Sequence, residues 1–206
     1  MSRFVVTGTD TDVGKTVFAA ALAAATGAHY WKPVQAGTEE GGDIGAALRL
    51  GVPPARIIPE AYRLATPCSP HRAAELDGVE IDLQRLSPPP GPAHLVVEGA
   101  GGVLVPVTRQ ILYADLFARW GLPVILVART GLGTINHSLL SIEALRQRNV
   151  PIHGVAFIGE PQEDSENIIA ALGKVRRLGR LPRLDDLTAE TLSTAFDAAF
   201  PSGTFT

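Results

Sequence analysis

Phe4-Val5-Val6-Thr7-Gly8-Thr9-Asp10-Thr11-Asp12-Val13-Gly14-Lys15-Thr16-Val17 is the stretch on which the reading of this chain turns. Residues 4–7 form a short apolar run of the kind that makes a buried strand. From Gly14 an alanine-rich stretch continues through residue 25 and closes near Gly27, which predicts a helix with a glycine stop. Between strand and helix lies a loop that ends in Gly-Lys-Thr. Backbone N–H groups of such a loop converge on phosphate oxygens, and the helix N-terminus adds a favourable dipole. Gly14 permits close backbone approach. Lys15 supplies a point charge for the β- and γ-phosphates, and the Thr16 hydroxyl suits Mg2+. Asp12, Val13, Gly14, Lys15, Thr16 and Val17 are therefore the expected contacts to a nucleoside triphosphate. The loop departs from the common spacing, since five residues rather than four separate Gly8 from Gly14. Asp10 and Asp12 flank the anion site. They either cap the turn and helix or face a metal or an amine-bearing ligand.

Outward from the loop, short apolar runs alternate with helical patterns. Strands are expected at residues 30–34, 95–97, 124–127 and 155–158, and helices at 44–50, 113–120, 136–148 and 189–200. The later strands are apolar on both faces, as in a covered parallel sheet. Residues 52–92 are proline-rich and weakly periodic and read as loops and short helices without a core of their own. The run Ser87-Pro88-Pro89-Pro90-Gly91-Pro92 is an extended connector. The expected fold is α/β: a mostly parallel sheet of P-loop NTPase type with helices on both faces, one domain over residues 1–206.

Composition narrows the class further. A formal net charge of −3 over 206 residues offers no attraction to nucleic acid or an anionic membrane. No apolar run approaches the ~20 residues that cross a bilayer, and the start lacks a signal-peptide pattern. The single cysteine, Cys68, cannot form an internal disulfide and is expected to be buried or half-buried, so a cytoplasmic protein is predicted.

Only three lysines occur, Lys15, Lys32 and Lys174. Lys32, in Trp31-Lys32-Pro33-Val34-Gln35-Ala36-Gly37, falls at the carboxyl end of the second strand, where open α/β sheets bind ligands. A second ammonium there suits a γ-phosphate meeting its acceptor. Glu98 ends the strand at 95–97, ahead of Gly99-Ala100-Gly101-Gly102, and suits Mg2+. Asp43, after Gly41-Gly42, is either a metal ligand or a helix N-cap.

Taken together, Thr7 to Thr16, Lys32-Pro33-Val34, Glu98 to Gly102 and Gly133-Thr134-Ile135-Asn136-His137 resemble the dethiobiotin synthetase family, in order and over nearly the whole chain. Ser69-Pro70-His71 also resembles a family segment. The resemblance implies an ATP-dependent ligase of biotin biosynthesis. It would join 7,8-diaminononanoate and CO2 with MgATP, releasing dethiobiotin, ADP and phosphate. It implies Lys15 and Lys32 as catalytic residues and Thr16, Asp43 and Glu98 as Mg2+ ligands. Glu98, Gly99, Ala100 and Gly101 would lie along the nucleotide, with Ile158, Gly159, Leu181 and Pro182 near its base. Thr11, Lys32 and Ala36 would meet the diamine. Thr134, Ile135 and Asn136 would hold its carboxylate across a homodimer interface. The family's Asn-Asp pair that reads adenine is missing, replaced by Ile158 and Gly159, so other nucleoside triphosphates are expected to serve. A partitioning or septum-site ATPase is the alternative reading. Those carry a second lysine early in the loop, where this chain has Asp10, and a basic amphipathic tail, where it has Asp185, Asp186, Glu190 and Asp197.

Overall fold

The computed structural model describes residues 2–37 and 41–205. Its centre is β1 (Arg3–Gly8), flanked by β6 (Leu95–Gly102) and β7 (Val124–Arg129). Beyond β6 lie β2 (His29–Trp31) and β4 (Ile57–Ile58), and beyond β7 lie β8 (Ile152–Ile158) and β9 (Arg177–Leu181). The order is β4-β2-β6-β1-β7-β8-β9, and every pairing is parallel. A separate two-stranded parallel sheet joins β3 (Val34–Ala36) to β5 (Tyr62–Leu64).

Side chains alternate between the two faces with the strand period of two. Phe4, Val6, Val96, Ile125, Val127 and Ala156 pack on one side, under α1 (Lys15–Thr26), α2 (Gly42–Arg49) and α7 (Ala189–Ala199). Val5, Leu95, Val97, Leu126, Val155 and Phe157 pack on the other, under α3 (Pro70–Leu76), α4 (Tyr113–Trp120), α5 (Thr134–Arg146) and α6 (Glu163–Gly173). Two apolar layers on one sheet require strands apolar at consecutive positions, which is the pattern the sequence shows. Among the described residues no helix is long and apolar enough to cross a membrane.

Several expectations need correction. The strand expected at 30–34 is broken: β2 stops at Trp31 and the chain re-enters as β3 in the smaller sheet. Pro33 lacks the N–H a central ladder needs, so the continuous strand is not available. β6 runs on through Gly102, so Glu98 sits within a strand rather than after one. β9 and α6 had no expected counterpart, and α5 starts at Thr134, two residues before the expected helix.

Candidate active site

Three strand ends assemble the site. The loop after β1 reaches α1 through Gly14, whose φ of 94° is left-handed. That backbone conformation favours glycine, and a β-carbon there would come within 2.5 Å of Ile158 Cδ1, the tip of a side chain that would have to shift. Lys15 and Thr16 open α1. Lys15 Nζ donates to the carbonyl of Asp10 at 2.7 Å, curling the loop around its own lysine. Asp10 also caps the turn, its Oδ1 accepting from Thr11 N at 2.8 Å, while Asp12 adopts a left-handed φ of 55° and lines the cleft. Asp10 thus takes the turn-capping role, while Asp12 faces the cleft.

In β6, Glu98 is fully buried and pairs in register with Val6 of β1. Three donors reach its carboxylate. Thr16 Oγ1 donates to Oε1 at 2.8 Å, Lys32 Nζ to the same oxygen at 3.1 Å, and the Tyr30 hydroxyl to Oε2 at 2.7 Å. Lys32, one residue past β2, also donates to the Gly99 carbonyl at 2.9 Å and pairs with Asp43 Oδ2 at 2.5 Å. Asp43 is not the N-cap of α2. That position is Gly41, and Asp43 turns its carboxylate to the lysine from the first helical turn. Its backbone N–H is held by Gln35 Oε1 at 3.0 Å, and Gln35 Nε2 donates to the Gly37 carbonyl at 2.9 Å.

The charges shape one another. Burial works against a charged Lys15 and the neighbouring Lys32 adds to this, bringing its ammonium down to about 8. Burial also opposes charge on Lys32, but Glu98 and Asp43 outweigh it and hold the ammonium above the ordinary lysine range. Asp43 is held below the usual carboxylate range because Lys32 outweighs its burial. Burial, reinforced by Glu98, pushes the Tyr30 phenol well up, so it remains a donor.

Lys15, Thr16, Lys32, Asp43 and Glu98 line a cavity of about 720 Å³ together with Thr11, Val17, Ala36, Ala100 and Gly101. Its far wall is the segment Pro67-Cys68-Ser69-Pro70 at the start of α3. Cys68 is exposed there, not buried as its residue type suggested. Ile158 meets the loop through Gly14, whereas Gly159, Leu181 and Pro182 lie just beyond at the ends of β8 and β9. Thr134, Ile135 and Asn136 begin α5 after a left-handed Gly133 and do not line this cavity. Tyr30 and Gln35 were missed from sequence. A tyrosine in an otherwise apolar buried strand needs a partner for its hydroxyl, and that need was the available signal for Tyr30.

A parallel sheet, a glycine-rich loop that opens a helix with Lys-Thr, and an acidic residue on the adjacent strand define a P-loop nucleotide-binding protein. A family model described as an AAA domain matches residues 2–191. Among solved structures, a ParA family ATPase from Chlorobium tepidum has a TM-score of 0.54 at 15% identity, covering 100% of this chain and 95% of that one. The MinC:MinD cell division complex of Aquifex aeolicus gives 0.52 at 14%, covering 95% and 86%. At such identities these likenesses show the fold. The ATP-dependent dethiobiotin synthetase of Novosphingobium aromaticivorans is 66% identical over 201 residues, covering 97% of each chain. That of Sphingopyxis alaskensis is 65% identical over 206 residues, covering 100% of each. The chain belongs to the ATP-dependent dethiobiotin synthetase family, which sets aside the partitioning-ATPase alternative.

Proposed function

We propose that this chain, acting as one cytoplasmic catalytic domain, is a ligase that uses MgATP to close 7,8-diaminononanoate and CO2 into dethiobiotin, releasing ADP and phosphate. The observation that carries the reading is the cluster of Thr16, Lys32, Asp43 and Glu98 beside the phosphate loop. Two carboxylates converge on one ammonium, so the position is built for positive charge. With the Thr16 hydroxyl they form a hard-oxygen set with few protein ligands, which fits Mg2+ keeping most of its waters. Bound there, the ion would neutralise charge on the nucleotide's phosphate oxygens.

The chain's own groups account for the rest. The loop N–H groups and Lys15 receive the phosphates. One amine of the substrate takes up CO2 as a carbamate, giving up a proton. A carbamate oxygen attacks the γ-phosphorus and ADP leaves. The second amine then attacks the carbonyl of the resulting anhydride, expelling phosphate and closing the ring. Lys32 stands where the acceptor meets the γ-phosphate and offsets the negative charge gathered there. Thr11 and Ala36 wall the cavity where the diamine would lie. Ala36 has no polar atom in its side chain, so it contributes shape only.

The working unit in this reading is a homodimer, with Thr134, Ile135 and Asn136 of one copy facing the other copy's cleft. N–H groups at a helix start suit a carboxylate, here those after Thr134, whose own N–H goes to the Gly131 carbonyl at 3.1 Å. Leu132 is wholly exposed and Ile135 is 36% exposed in the same segment, apolar surface that a second copy would cover. The decisive measurement is phosphate release from MgATP with each substrate omitted in turn. Release should require both 7,8-diaminononanoate and bicarbonate. Release that ignores either, or that answers instead to DNA or lipid, would overturn the proposal.

A further inference from the structure

Tyr30 lies in β2, fully buried, with its ring in the core layer under α1. Its hydroxyl reaches past that layer to Glu98 Oε2 at 2.7 Å. The other carboxylate oxygen, Oε1, is shared by Thr16 and Lys32. Glu98 therefore has one oxygen committed to the sheet interior and one to the cleft. The last torsion of a glutamate is broad, so without a fixed partner the carboxylate could swing and divide its oxygens differently. The kind of donor matters as much as its place. A phenol is neutral, so it satisfies Oε2 without cancelling charge. Asp43 and Glu98 against Lys32 leave the cluster one negative charge in excess, and an arginine or lysine in place of Tyr30 would erase that excess.

We propose that Tyr30 is a positioning residue: by holding Oε2 of Glu98 it keeps Oε1 turned to the phosphate loop and sets how tightly the site takes the divalent cation that accompanies the nucleotide. The inference rests on the ligase reading only in treating Glu98 as a cation ligand.

Tyr30→Phe keeps the ring and removes the bond. Binding of adenylyl-imidodiphosphate is measured by calorimetry in EDTA and across a Mg2+ titration. In EDTA the variant should bind within about twofold of the parent, whereas the Mg2+ concentration for half-maximal tightening should rise roughly tenfold. An unchanged Mg2+ midpoint in folded Tyr30→Phe overturns the proposal. So does a parent protein whose nucleotide binding ignores Mg2+. Should Tyr30→Phe fail to fold, the parent labelled with 3-fluorotyrosine keeps the question open to 19F NMR. The chain has three tyrosines, and Tyr62→Phe and Tyr113→Phe leave the Tyr30 signal assigned by elimination. That signal should move when Mg2+ is added to the analogue complex, and a stationary signal overturns the proposal. Neither readout uses the diamine or bicarbonate, so its failure is separable from failure of the ligase reading.

Discussion

Lys32 is the residue whose replacement separates binding from chemistry. It neutralises Asp43 and Glu98 by direct contact. Removing one partner of a buried ion pair costs about 3 kcal/mol, which for a chain of this size lowers Tm by roughly 6–12 °C. Lys32→Gln should show that loss, and millimolar Mg2+ should restore part of it by filling the vacated position. A Tm that does not answer to Mg2+ would separate the two carboxylates from any cation site. Kinetically, Lys32→Gln should lose turnover more than ATP affinity, whereas Lys15→Gln should lose both. Near-normal turnover in Lys32→Gln removes it from the catalytic groups. The base end is expected to discriminate little between nucleotides. Ile158 has no polar side-chain atom and packs on Gly14, and the Gly159 N–H is already given to the Leu181 carbonyl at 3.0 Å. The Gly159 backbone donor is thus occupied. GTP and CTP should support turnover with kcat/KM within about tenfold of ATP, a gap of ~1.4 kcal/mol. A preference for ATP above about a hundredfold would show that some other group reads the base.

At the scale of elements, what could be read in advance followed the strength of the local pattern. β1, α1, β7 and α7 were legible because an apolar run or an alanine-rich stretch with a glycine stop leaves little choice. β9 escaped because Arg177-Leu178-Gly179-Arg180-Leu181 is only five residues long, lacks strict alternation and carries a glycine at its centre, so it looks like a loop. Its place is secured by tertiary partners, Arg177 and Arg180 both pairing with the buried Glu166 of α6. The break after β2 was written in Pro33, yet its consequence, a second small sheet, depends on β5, thirty residues away in a segment with weak periodicity. The C-terminal segment shows the same dependence on partners. His153 of β8 donates from Nε2 to the Thr204 carbonyl at 2.7 Å, and its ring packs on Phe4 and Phe205. Burial lowers the His153 pKa below 6.5, Arg176 adds to this, and the Thr204 carbonyl opposes it. The unfolded chain therefore binds the proton more readily, so burial of the neutral ring contributes fully above about pH 6.5 and less as pH falls below it. Thermal melts should drop between pH 7.5 and 5.5 more in the parent than in His153→Phe, which keeps the ring stack. Equal drops would place the pH sensitivity elsewhere.

For the molecule as a whole, the sheet order brings β1, β2 and β6 side by side, so residues distant in sequence meet at their carboxyl ends. The meeting of Lys15, Lys32, Asp43 and Glu98 in one cleft was legible because charged residues beside glycine-rich turns at strand ends mark the crevice of an open α/β sheet. The neutral supports, Tyr30 and Gln35, were not, because their types are common in cores and only the packed structure shows what they hold. The start of α5 lies apart from the cleft, so the part in substrate binding proposed for it would require a second copy. Mixing Lys15→Gln with Asn136→Ala should yield hybrid dimers with one intact site and recover activity that neither variant has alone. A fully active monomer in sedimentation at assay concentration would exclude that arrangement. The distribution of lysines has a practical side. Two of the three are curled into the cleft, and Lys174 is exposed at the far end of α6, beside the amino-terminal end of β9. Coupling through lysine side chains should therefore tether the protein to a surface by Lys174, leaving the open side of the sheet facing solution with no engineered tag.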